Sequence, residues 1–96
     1  MTKAQHTPGP WTQGSNYEVV AMDGTNICKV HNDEGQGAAN ARLLSKAPAM
    51  LEELRDAAAS FREIAELPST GPGAATSCRL AAIHIEAILS RIGANQ

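Results

Sequence analysis

The 96-residue chain has few aromatic side chains: one Trp, one Tyr and one Phe make up 3% of it. A core of stacked rings is therefore excluded, and burial has to come from Leu, Ile, Val and Ala. Cysteine is also scarce. Cys28 and Cys78 are the two present, and with no apolar leader at the amino terminus they are expected as free thiols in a reducing cytoplasm. Apolar runs stay well short of the roughly 18 residues that a membrane span needs, so no membrane partner is expected. Positive charge is not in excess either. Eight Lys and Arg against ten Asp and Glu leave a net charge of −2. Duplex nucleic acid is excluded as a partner on that ground, because a phosphate-backbone binder needs surplus cations. Glycine-rich phosphate loops and nucleophile-elbow sequences are missing, and no cofactor is expected.

The composition that remains, 43% hydrophobic and 19% charged, is that of a folded globular chain. Its length suits a single domain over residues 1–96, with a β-rich part at 1–37 and a helical part at 38–96. Thr7-Pro8-Gly9-Pro10 is extended or turned, because proline there excludes helix. Tyr17 to Met22 and Thr25 to His31 are β-rich runs on either side of Asp23-Gly24, a strong hairpin signal. A two-residue loop would set Met22 against Thr25, Val20 against Ile27 and Glu18 against Lys29, with opposite charges across the last pair. A loop with Gly24 in the left-handed region would shift that register. Trp11 to Gln13 is a candidate third strand, entered through Gly14-Ser15-Asn16.

From Ala38 the pattern turns helical. Leu44, Ala47, Leu51, Leu54, Ala58, Phe61 and Ala65 recur at spacings of three and four and form one apolar stripe. Pro48 interrupts it, which implies either a kink or a short helix ending near Lys46 and a second that carries Pro48 in its first turn. Pro68 to Gly73 reads as a surface loop, and a last helix is expected from about Ala75 to Ile92. Cys78, Ala81, Ile85, Ile88 and Ile92 share one of its faces, while Leu80, Ile83 and Leu89 lie outside it. So much apolar circumference in a short chain implies a homo-oligomer formed through that helix, the alternative being that Leu80 and Ile83 pack under the N-terminal segment of the same chain. The fold class is therefore α+β: an N-terminal antiparallel hairpin or three-stranded meander followed by two long helices, the first interrupted near Pro48.

Catalytic chemistry is hard to assemble from these residues. His6, His31 and His84 fall in three different elements. Cys28 and His31 have a C-x-x-H spacing, but on a strand an odd separation points them to opposite faces, which favours a semi-buried thiol and a hairpin-end imidazole over half a zinc site. Glu52 and Glu53 diverge on a helix. No catalytic residue is expected, and the chain reads as a binding protein. Phe61 belongs to the core stripe, whereas Tyr17, at a strand start, fits core or surface. Trp11, held by two prolines, either stacks on a planar ligand or closes one end of the core. Arg42, Arg55 and Arg62 offer forked donors suited to phosphate, and Arg55 and Arg62, seven residues apart, share a helix face.

Two segments, His6-Thr-Pro-Gly-Pro-Trp11 and Asn40-Ala-Arg-Leu-Leu-Ser-Lys-Ala-Pro-Ala-Met-Leu-Glu-Glu-Leu54, resemble a family of small phage and prophage proteins. Its members begin HTPGPW, continue through a short hairpin and enter a helix as NARLIAAAPELLEAL. Ser45-Lys46 and Ala49-Met50 depart from that pattern. The order of elements is also similar to that of the phage anti-Thoeris sponges, oligomeric proteins that sequester a cyclic nucleotide immune signal without cleaving it. That likeness implies a phage anti-defence protein with a small cyclic nucleotide as its ligand. It places Trp11 as the stacking surface, Asn40 as a polar edge contact and Arg42 on phosphate; Arg55 and Arg62 join them as phosphate contacts only through their shared helix face. A helix N-cap is the structural alternative for Asn40. The competing class is a phage protein that inhibits a host defence or regulatory protein by direct contact.

Overall fold

The computed structural model describes residues 6–93. It has a three-stranded antiparallel sheet in the order β1-β2-β3 followed by three helices. The strands are β1 (Trp11–Gln13), β2 (Glu18–Ala21) and β3 (Asn26–Lys29), and the helices are α1 (Gly37–Ser45), α2 (Ala47–Ala65) and α3 (Pro72–Arg91). The chain divides into two compact units, residues 1–50 and 51–96, so that α1 groups with the sheet.

In the first unit the hairpin takes the left-handed loop. Gly24 has φ +92°, its N–H donates to Ala21 O at 3.0 Å, and the Ala21 N–H donates to Thr25 O at 2.8 Å. Ala21 thus faces Thr25 across a three-residue loop, and the pairing of Met22 with Thr25 does not form. The Thr25 N–H donates to Asp23 Oδ1 at 2.9 Å, and this bond, with the Thr25 side chain, holds the Asp23 carboxyl below its ordinary value. Val20 pairs with Asn26 and Val19 with Cys28, so Ile27 is an extra residue bulged out of β3. That bulge restores the pairing of Glu18 with Lys29 expected from their charges. The Val20–Ile27 pairing is lost because the glycine loop and the bulge shift the register one residue each, in opposite senses.

The sheet face that holds Val19 and Ala21 is buried, and α1 packs on β1 and β2 through a stripe of small residues, Gly37, Ala41 and Ser45. At four-residue spacing these lie on one side of the helix, and small side chains let it sit close to the strands. Leu44, expected on the buried stripe, is exposed instead. The chain leaves α1 at Lys46 and starts a new helix at Ala47, which resets the helical phase, and Pro48 takes its place in the first turn of α2. The HTPGPW segment packs on this junction. A Cβ at Gly9 would lie 2.6 Å from Pro48 Cβ, so the two motif segments meet where only glycine fits. Cys28, expected to be semi-buried, is exposed.

In the second unit α2 and α3 form an antiparallel hairpin. Leu51, Ala58 and Ala65 are buried along α2, and Ala75, Ala82 and Leu89 along α3, each set seven residues apart. Leu51 and Leu89 form the core cluster, with Leu54 and Ile85 packed against it. The same antiparallel step brings Ala58 opposite Ala82 and Ala65 opposite Ala75. Leu89 is therefore in the seam, 3% exposed, while Ile88 and Ile92, expected on the buried face, are exposed. The expected face is centred between a fifth and a quarter of a turn to one side of the seam. Helix α3 also begins earlier than expected. Pro72 and Gly73 are its first turn, with Gly71 as N-cap, because proline at the first helical positions gives up an N–H that has no partner there.

Candidate ligand-binding site

The first unit holds an open cleft of about 480 Å³ lined by Tyr17, Lys29, Val30, His31 and Asn32. It forms where the start of β2 and the end of β3 leave the sheet. The link from β1 to β2 is a tight turn at Ser15–Tyr17 in which Asn16 and Tyr17 have φ of 54° and 60°. Asn tolerates this left-handed region, whereas a bulky ring there is strained by about 1–2 kcal/mol. The turn is held by two backbone bonds, Gly14 N–H to Glu18 O at 2.8 Å and Val30 N–H to Tyr17 O at 2.9 Å. Gly14 lies close against β2, where a Cβ would come within 2.9 Å of Val20 Cγ2. Strain stored in a bulky residue beside an open cleft is the pattern of a positioned functional group.

The other wall is polar. Lys29 ends β3 directly across from Glu18. Asn32 Oδ1 accepts the Gly37 N–H at 2.9 Å and so caps the first turn of α1, which leaves its NH2 as the group to offer a ligand. A ring, an ammonium, an imidazole and an amide thus share one cleft, a set that can stack a planar group, hold an anion and read a polar edge.

The residues singled out in the sequence lie elsewhere. Trp11 is half-buried, its Nε1–H donates to Thr7 O at 3.2 Å, and its ring stands edge-on to His6 with centroids 6.4 Å apart. Asn40 and Arg42 are exposed and leave α1 on opposite sides of the buried Ala41. Asn40 is not the N-cap: it lies inside α1, Gln36 holds the cap position, and Asn32 supplies the capping oxygen. Arg55 and Arg62 are in the second unit. The Arg62 guanidinium makes a two-pronged ion pair with Glu86, Nε to Oε2 at 2.8 Å and Nη2 to Oε1 at 2.6 Å. Its hydrogen bonds hold the Glu86 carboxyl below its ordinary value, and a phosphate would have to displace Glu86 to use that fork. Among the described residues no group of His, Cys, Asp or Glu is placed to hold a metal ion, and no helix is long and apolar enough to cross a membrane.

Sequence reading passed over Lys29 and Asn32 and left Tyr17 unassigned. The signal was the charge pair itself: once Glu18 faces Lys29, Tyr17 must lie beside Val30.

Fold and cleft together define a small α+β protein with an antiparallel meander, an open ligand-sized cleft at one end of its sheet, and three helices. Residues 1–91 match the family Salmonella phage P22 protein Y8K6, and the chain belongs to that phage protein family. Comparison with curated proteins and with solved structures found no match.

Proposed function

We propose that this phage-family protein works by binding rather than by catalysis, and that it sequesters a small cyclic nucleotide of a host defence system without cleaving it. The observation that supports this best is the cleft, where the Tyr17 ring, the Lys29 ammonium, the His31 imidazole and the Asn32 amide combine the contacts a nucleotide needs. Capture in competition with a host sensor requires nanomolar affinity, about 12 kcal/mol. Stacking is worth roughly 1–3 kcal/mol, and a charge-assisted hydrogen bond to phosphate roughly 1.5–3. Several contacts must therefore act at once on one ligand.

The test is calorimetry against cyclic dinucleotides, cyclic trinucleotides and cyclic ADP-ribose isomers, with recovery of the ligand after denaturation. Nanomolar binding, intact ligand and a loss of about tenfold or more in Lys29→Gln are expected. The same measurement on Trp11→Ala and Arg42→Ala decides whether the ligand uses the cleft or the residues chosen from the sequence. Absence of binding across the panel at micromolar protein would overturn the proposal. The second reading, direct inhibition of a host protein, would then take its place, supported by the exposed Leu43 and Leu44 on α1.

A further inference from the structure

The cleft of about 480 Å³ in the first unit is lined by Tyr17, Lys29, Val30, His31 and Asn32, and no carboxylate is among them. Lys29 is its one permanent cation. Arg42 and Lys46, the other cations described in residues 1–50, belong to α1 and its end and do not line the cleft. Lys29 is exposed, and among the described residues it makes no ion pair, although Glu18 faces it across the β2–β3 ladder. Its ammonium is therefore free to turn to an anion. Glu18 stays on the same side of the sheet, since residues directly opposite in an antiparallel pair point to one face. The Asn32 amide adds a neutral donor and no charge, its Oδ1 being taken by the Gly37 N–H. A phosphate at this site meets one positive charge with one negative charge nearby.

We propose that this charge pattern selects the linkage of the ligand: the cleft takes a cyclic oligonucleotide joined by single phosphodiesters and disfavours a ring closed by a pyrophosphate, such as a cyclic ADP-ribose isomer. The inference rests on the nucleotide-capture reading and divides its ligands into two classes. A phosphodiester between two sugars carries one negative charge, and in a cyclic di- or trinucleotide a whole nucleoside separates it from the next. Lys29 can hold one such charge while the adjoining base stacks on the Tyr17 ring, and the open cleft leaves the rest of the macrocycle in water. A pyrophosphate places two negative charges on neighbouring phosphate groups. An ammonium is a compact point charge without the fork by which a guanidinium holds two oxygens in parallel, so the second charge lacks a partner. Glu18 then repels it.

Calorimetry at constant base tests it, with cyclic di-AMP and 3′,5′-cyclic AMP against ADP and a cyclic ADP-ribose isomer, and with cyclic di-GMP and 3′,5′-cyclic GMP against GDP. Each phosphodiester ligand should bind at least about tenfold more tightly than the pyrophosphate ligand of the same base, since a second charge is repelled where the first is held. Glu18→Gln removes the repelling carboxylate and should narrow that gap. The ligands are compared on the wild type, so the test stands even if the variant fails to fold. Equal or tighter binding of the pyrophosphate ligands would overturn the linkage inference and leave capture standing. So would a gap that folded Glu18→Gln leaves unchanged, because the selection would then not come from the charges about Lys29. Absence of binding across the whole set would overturn the capture reading, and this inference with it.

Discussion

The two compact units reach their stability by different means. The first unit buries little large apolar volume: among its described residues Val19, Ala21 and Ala41 are the buried hydrophobics, and the unit depends on close backbone approach, at Gly9 against Pro48, Gly14 against Val20 and Gly37 against Asn32. Residues 51–96 contain a periodic seam of Leu and Ala on two helices. In the first unit single atoms decide whether segments fit. In the second, apolar burial decides, and much of the available apolar surface is still uncovered. Ligand geometry is better placed on the first kind of scaffold, where turns and bulges aim side chains, and assembly on the second.

The sharpest break of this comparison is Leu89→Ala. It removes half of the Leu51–Leu89 cluster and should destabilise the protein by about 2–5 kcal/mol, seen as loss of helical circular dichroism at lower urea. A cost below about 1 kcal/mol would mean that the seam does not carry the second unit. Next in size is Gly37→Ala. Added to an exposed helix, alanine would be favourable, but here its Cβ would lie 2.8 Å from Asn32 Oδ1 and 2.9 Å from Asn32 Cα. A net loss of about 1–3 kcal/mol is expected from that overpacking. Increased stability would show that close approach is not what holds α1 to the loop before it.

Gly24→Ala separates conformation from packing. No atom lies within 4 Å of the added methyl, so the expected cost of about 1–2 kcal/mol comes from φ +92° alone. A neutral result would show that the chain does not hold a left-handed backbone at residue 24. The smallest effect belongs to the exposed ion pair. At pH 7 Glu86→Gln should be within the scatter of a thermal melt. Glu86 titrates below its ordinary value of 4.5 when folded, so its contribution is present above that value and is lost as pH falls through the lowered one. The wild type should therefore lose slightly more stability on acidification than Glu86→Gln, and equal losses would show that the pair does not couple to folding.

Much of this was legible in the residues themselves. Leu51, Leu54, Ala58, Phe61 and Ala65 announce a helix because their spacing follows 3.6 residues per turn. Pro48 marks a helix start, whereas Pro72, the first residue of α3, reads as loop, and Asp23-Gly24 marks a turn that only a residue without a Cβ closes easily. The facing of Glu18 and Lys29 could be read from charge alone. The candidate site was less legible, because Tyr17 and Asn32 are fifteen residues apart and neither belongs to a motif.

Tertiary structure alone decided the rest. Whether Gly24 takes the left-handed region, and whether β3 then bulges at Ile27, depends on which sheet face α1 covers, since one residue of slip would turn Val19 outward. Which of two overlapping apolar faces of α3 becomes the seam depends on the partner helix: Leu89 is buried and Ile88 exposed because Leu51 meets the first and not the second. Local sequence specifies the period of a helix and the position of a turn through backbone sterics, whereas register and facing are differences between nearly equal packings. Those are resolved only when the segments meet.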